Sequence, residues 1–106
     1  MSGDLTFQRP WVRVGQHADI LDQELEKEVC PEHPLYGSRA RAVAQRTDSD
    51  DVLFQLENSR YKYAVAHLTW SGQTEPNASW PATQCFDSLE EWIISCMKPD
   101  HREYLL

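Results

Sequence analysis

Between Ala18 and Cys30 the apolar residues Ala18, Leu21, Leu25 and Val29 recur at spacings of three, four and four, which predicts an amphipathic helix. Asp19 suits its N-cap or first turn, and Pro31 stops it. Upstream, Trp11, Val12 and Val14 suit a short strand that follows an extended arm over residues 1–10. Arg9, preceding Pro10, is biased towards β or polyproline geometry, which fits such an arm. The segment PEHPLYGS, residues 31–38, reads as a loop from its two prolines and one glycine.

The period then changes to two. ARAVAQRT alternates Ala40, Ala42 and Ala44 against Arg41, Val43 and Gln45, a strand of modest hydrophobicity. After a turn at Asp48–Asp51, the residues Val52, Phe54 and Leu56 alternate with Leu53, Gln55 and Glu57. Asn58-Ser59-Arg60 turns the chain into a long strand from Tyr61 to Trp70. There Ala64, Ala66, Leu68 and Trp70 form one face, small enough for a helix to pack on. Tyr61, Tyr63, Val65, His67 and Thr69 form the more accessible one. Ser71 to Cys85 is a connection of about fifteen residues, well beyond the usual ~4–6. Pro76 and Pro81 stiffen it, so it reads as a fixed flap over the sheet edge with Trp80 as its pin, while Trp70 belongs to the core.

The last element begins with the capping box Ser88-Leu89-Glu90-Glu91. Leu89, Trp92, Ile93, Cys96 and Met97 share a helical face, Pro99 ends the helix, and residues 100–106 trail as a tail. The whole chain, 1–106, then forms one α+β domain: a small antiparallel sheet of three to four strands with two helices packed on one face.

Charge narrows the range of partners. Against 17 acidic residues stand 10 basic ones, a net charge of -7, which repels nucleic acid and attracts a protein partner with a basic surface. The first helix concentrates acid at Asp22, Glu24, Glu26 and Glu28, relieved only by Lys27. This face reads as an ordinary solvated face or, given the uncompensated repulsion between Glu24 and Glu28, four apart, as an acidic docking surface. No apolar stretch approaches the ~20 residues of a membrane span, and no signal segment is visible. With three widely spaced cysteines, Cys30, Cys85 and Cys96, this predicts a cytoplasmic protein with reduced thiols and no membrane association. Asn77-Ala78-Ser79 fits a glycosylation site only by chance in such a protein.

Catalytic chemistry finds little material. Cys30 and His33 have the spacing of half a zinc site but no second half follows, so no metal is expected. The turn at residues 48–51 lacks the glycine and distal glutamate of a calcium loop. Neither a nucleophile elbow nor a phosphate-binding glycine loop occurs, and no cofactor is expected. An enzyme or ligand-binding reading rests on His67 with Glu75 as an acid–base group, in a pocket between the His67 strand and the 71–85 loop.

In size, acidity, aromatic content and lack of a catalytic motif, the chain resembles bacterial immunity proteins, small partners that neutralise a toxin. The likeness implies a small acidic protein-binding module that occupies a basic partner. Glu24, Glu28, Tyr61, Tyr63, His67 and Trp80 are its candidate contact residues. Homodimerisation through an edge of the sheet is a third reading.

Overall fold

The computed structural model describes residues 6–106. The elements run β1 (Trp11–Arg13), α1 (Ala18–Glu28), β2 (Arg39–Arg46), β3 (Asp51–Glu57), β4 (Tyr63–His67), β5 (Ala82–Phe86), α2 (Leu89–Trp92), a π-helical turn (Ile93–Met97) and α3 (Lys98–Tyr104). The strands form one antiparallel sheet in the order β1-β2-β3-β4-β5. The fold is therefore α+β, with five strands where the sequence pattern predicts three to four. The added strand is β5, which emerges from the end of the predicted long loop by pairing Ala82 with His67 and Phe86 with Tyr63. No helix among the described residues is long and apolar enough to cross a membrane.

The helices do not share a face. One core cluster gathers Leu21, Leu25 and Val29 around α1 with Val52, Phe54, Leu56, Ala64, Ala66 and Leu68. The other gathers Trp92 and Met97 of the C-terminal helix with Trp11, Ala44, Leu53 and Phe86. Adjacent strand residues point to opposite faces, so burial of both Leu53 and Phe54 requires a layer on each side. The α1 layer covers the alanine face of β4 as the alternation predicts. The C-terminal helix half-covers the face carrying Tyr63 and Val65.

A bulge at Val43 supports the second layer. Ala42 pairs with Phe54 and Ala44 with Leu53, so Val43 is an extra residue. Ala42 therefore packs under α1 and Ala44 on the opposite face, beside Trp11 and Trp92, rather than all three alanines sharing a side. The indoles of Trp11 and Trp92 meet edge to face at 5.1 Å, and Phe7 adds a second such contact to Trp92. Phe7 thus ties the end of the N-terminal arm to the core, while positions 1–5 of the predicted arm lie outside the described residues.

The C-terminal helix continues through Pro99. Ser88 Oγ accepts from Glu91 N–H as the capping box predicts, while the Glu91 side chain reaches back to Asp87 N–H, one residue before the N-cap. In the π-helical turn, Lys98 N–H bonds to Ile93, five residues back. The widened turn lets Pro99, which has no N–H to give, sit at the start of α3 instead of breaking the helix. Residues 98–104 are consequently helical, and the predicted tail shrinks to the last two residues.

Asp100 fastens this extension. Its Oδ2 accepts from Trp11 Nε1 at 2.9 Å and lies 3.2 Å from an Arg46 guanidinium nitrogen. The Cys96 thiol also points at it, 3.5 Å away. Burial, then Asp100 itself, pushes the Cys96 thiol up to about 12, so it stays protonated and structural. Asp100→Ala leaves a buried indole N–H without its acceptor and removes one of the two carboxylates on the Arg46 guanidinium, which keeps Asp48. Urea unfolding should show a loss of about 1–3 kcal/mol, and an unchanged midpoint would remove Asp100 from this role.

Candidate functional site

The segment joining β4 to β5, residues 68–81, has no regular structure, yet it is heavily bonded. Its anchors lie on α1. The Glu28 carboxylate accepts from Thr69 N–H at 2.9 Å through Oε1 and from Trp70 N–H at 2.8 Å through Oε2. Glu24 accepts from Gly72 N–H at 3.2 Å, and the Glu28 carbonyl takes the N–H of Glu75 at 2.9 Å. Thr69 Oγ1 closes the loop on itself by donating to Glu75.

Glu24 and Glu28 are buried, at 6% and 0% exposure, so they are not the acidic docking surface their charge suggests. Leu21, Glu24, Leu25 and Glu28 follow the i, i+3, i+4, i+7 stripe that a helix buries, and that spacing was the available signal. Asp22 is also engaged, accepting from Ala42 N–H. Of the five carboxylates on this helix, only Asp19 and Glu26 are exposed.

Glu28 has an unusual proton affinity. Burial, followed by its side-chain hydrogen bond with Glu24, raises its carboxyl from 4.5 to about 7, against the opposing pull of the Thr69 and Trp70 amides. Burial disfavours the charged form of Glu28, and the protonated carboxyl, bonded to Glu24, still has oxygens to accept from the loop.

A second anchor holds the other end. His33 Nδ1 accepts from Leu35 N–H at 3.0 Å, which leaves Nε2 as the protonated nitrogen donating to the Pro81 carbonyl at 2.9 Å. Both ring nitrogens are occupied, so the Cys30–His33 spacing serves loop packing. Among the described residues no group of three or more His, Cys, Asp or Glu could hold a metal.

Between these anchors the loop presents its tryptophans. Trp70 and Trp80 are each 46% exposed. Trp80 is therefore not the pin; the carboxylates and His33 are. Trp70 leaves the core because its φ of 56° turns the chain at the end of β4. This left-handed geometry costs a bulky residue roughly 1–2 kcal/mol, and the Glu28 bond to its amide holds it there.

No protein-family model matches this chain, and no curated protein or solved structure matches it either.

The other candidate residues are dispersed. Tyr61 packs on the α1 cluster and under the Arg60 guanidinium, whereas Tyr63 packs on the C-terminal-helix cluster. They do not form one exposed face, because Tyr61 precedes β4 and Tyr63 opens it. His67 Nδ1 bonds across the sheet to Asp51 at 2.8 Å, and Glu75 is bonded to Thr69. The structure thus gives each a separate partner rather than making them one acid–base group. A cavity of about 500 Å3 opens elsewhere, between α1 and the turn before β2, over Leu25, Val29 and Leu35. Asp22 and Arg39 on its rim already hold Ala42 N–H and Glu57, and neither imidazole nor thiol lines it.

The raised Glu28 carboxyl makes the folded chain hold a proton that the unfolded chain releases. Its contribution to stability is full below 4.5 and is lost as the pH rises through about 7. Denaturation midpoints should therefore fall between about pH 5 and about pH 8, and Glu28→Gln should flatten that slope. The amide also lowers stability at the acidic end, since its single oxygen can serve only one of the two loop N–H groups. An equal slope in both proteins would refute the proton held by Glu28.

Proposed function

We propose that the protein is a small acidic protein-binding module whose contact surface is the 68–81 loop with Trp70 and Trp80. One observation carries this reading: two half-exposed indoles stand on a loop whose backbone is clamped by buried carboxylates. Ordering that loop takes place during folding, so its entropy is not lost again on association. Tryptophan offers a large apolar area with a polar N–H and is enriched where binding energy concentrates. An indole face also attracts guanidinium and ammonium groups.

The net charge of -7 fits a partner with a basic surface, which it would draw in at low ionic strength. Neutralisation of a basic toxin, the immunity-type role that the composition resembles, is one form of such binding. With Glu24 and Glu28 turned inwards, their charge reaches the partner only as part of the overall field.

Trp70→Gly offers a clean separation of binding from folding. Glycine occupies the left-handed position without strain, so the thermal transition should stay or rise while the indole is lost. Tagged protein should retain one stoichiometric basic partner from its native lysate, more weakly at moderate salt than at low salt. Trp70→Gly and Trp80→Ala should each reduce that retention by about tenfold or more, the range of an interface hot spot. Equal retention by both folded variants would contradict the proposal.

A further inference from the structure

The two edges of the sheet are treated differently. On one side β1 is three residues long, follows Pro10 and ends in Arg13. Beyond β1, the free stretch of β2 carries Arg39 and Arg41, and Asp22 takes the outward N–H of Ala42. Short length, proline, cations and a capped amide are the usual protections of an edge strand.

On the other side β5 shares only one of them, a preceding proline, Pro81. ATQCF contains no charge and no proline, and its register with β4 runs unbroken from Ala82 to Phe86. Among the described residues its backbone bonds only to β4 and to the adjoining Lys62. Its outward N–H and C=O groups form an open ladder five residues long.

We infer that β5 pairs antiparallel with β5 of a second copy about a two-fold axis at Gln84, making one continuous ten-stranded sheet. The choice of a second copy rests on charge and shape. Copies carrying -7 repel one another over most of their surface, and β5 is a neutral strip where they can meet. In this register small opposes large: Ala82 faces the partner's Phe86 and Thr83 the partner's Cys85. The two Gln84 amides oppose each other and can hydrogen-bond across the axis. Asp87 falls outside the strand, so no carboxylate confronts another within it. Such an isologous contact closes at two copies, leaving the defended β1 and β2 edges outermost.

Sedimentation velocity from micromolar to submillimolar concentration tests this. A monomer–dimer equilibrium should appear and should strengthen with added salt, because salt screens the repulsion between copies. That is opposite to the salt response of binding to a basic partner, so the two ideas fail separately. Gln84→Lys places two ammonium groups across the axis and should weaken the dimer by about tenfold or more, with an unchanged thermal transition. Gln84→Cys combined with Cys85→Ser should give an oxidised, disulfide-linked dimer. A monomer at every concentration and salt would overturn the inference. So would a dimer that Gln84→Lys leaves intact, which would place the contact elsewhere.

Discussion

The arrangement of this protein depends on one buried carboxyl. Glu28 has no solvent exposure, and both of its oxygens face the backbone of the segment that leaves β4. Without them, that segment would have to be ordered against a conformational cost of roughly 1–2 kcal/mol for every residue fixed. It buries little apolar surface in return, since most of residues 70–80 are exposed. The two hydrogen bonds to the Glu28 carboxyl fall where the chain must turn through a left-handed Trp70. Because Glu24 and Glu28 project from α1, the loop is as well placed as the helix, and the helix is held by Leu21, Leu25 and Val29 against the sheet.

The same constraint connects stability with presentation. Desolvation of Glu28 is tolerable because its carboxyl hydrogen-bonds to Glu24 and because the loop amides solvate it. Breaking one partner leaves the others buried and unsatisfied, which makes the cluster cooperative. The indoles of Trp70 and Trp80 are outward consequences of this inward bonding. On the opposite face, Asp100 does comparable work for the C-terminal helix by gathering Trp11 and Arg46.

Much of the architecture was legible in the chain, and the failures have physical causes. Helix α1, the β3–β4 pair and the Ser88 capping box follow from periodicity and local hydrogen-bonding chemistry. β5 did not, because ATQCF lacks an apolar face and follows a proline; it is a strand chiefly through its register with β4. The placement of helices on both faces was present in Leu53 and Phe86, apolar residues that a single layer cannot bury. The bulge at Val43 and the π-helical turn before Pro99 are shifts of one residue, which composition does not mark. At the site, the polar surroundings of Trp80 suit a half-exposed side chain better than the pin of the loop. Glu24 and Glu28 were misplaced because charge was weighed above spacing, although their positions belong to the stripe defined by Leu21 and Leu25.

A surface loop is fixed from beneath by the Glu24–Glu28 pair. Native-state hydrogen exchange, followed residue by residue by NMR, measures this most directly. The amides of Thr69, Trp70, Gly72 and Glu75 should exchange with protection approaching that of β4, while those of Gln73 and Thr74, which have no such anchor, exchange far faster. Uniformly fast exchange across residues 69–75 would contradict the clamp and the fixed presentation of the tryptophans.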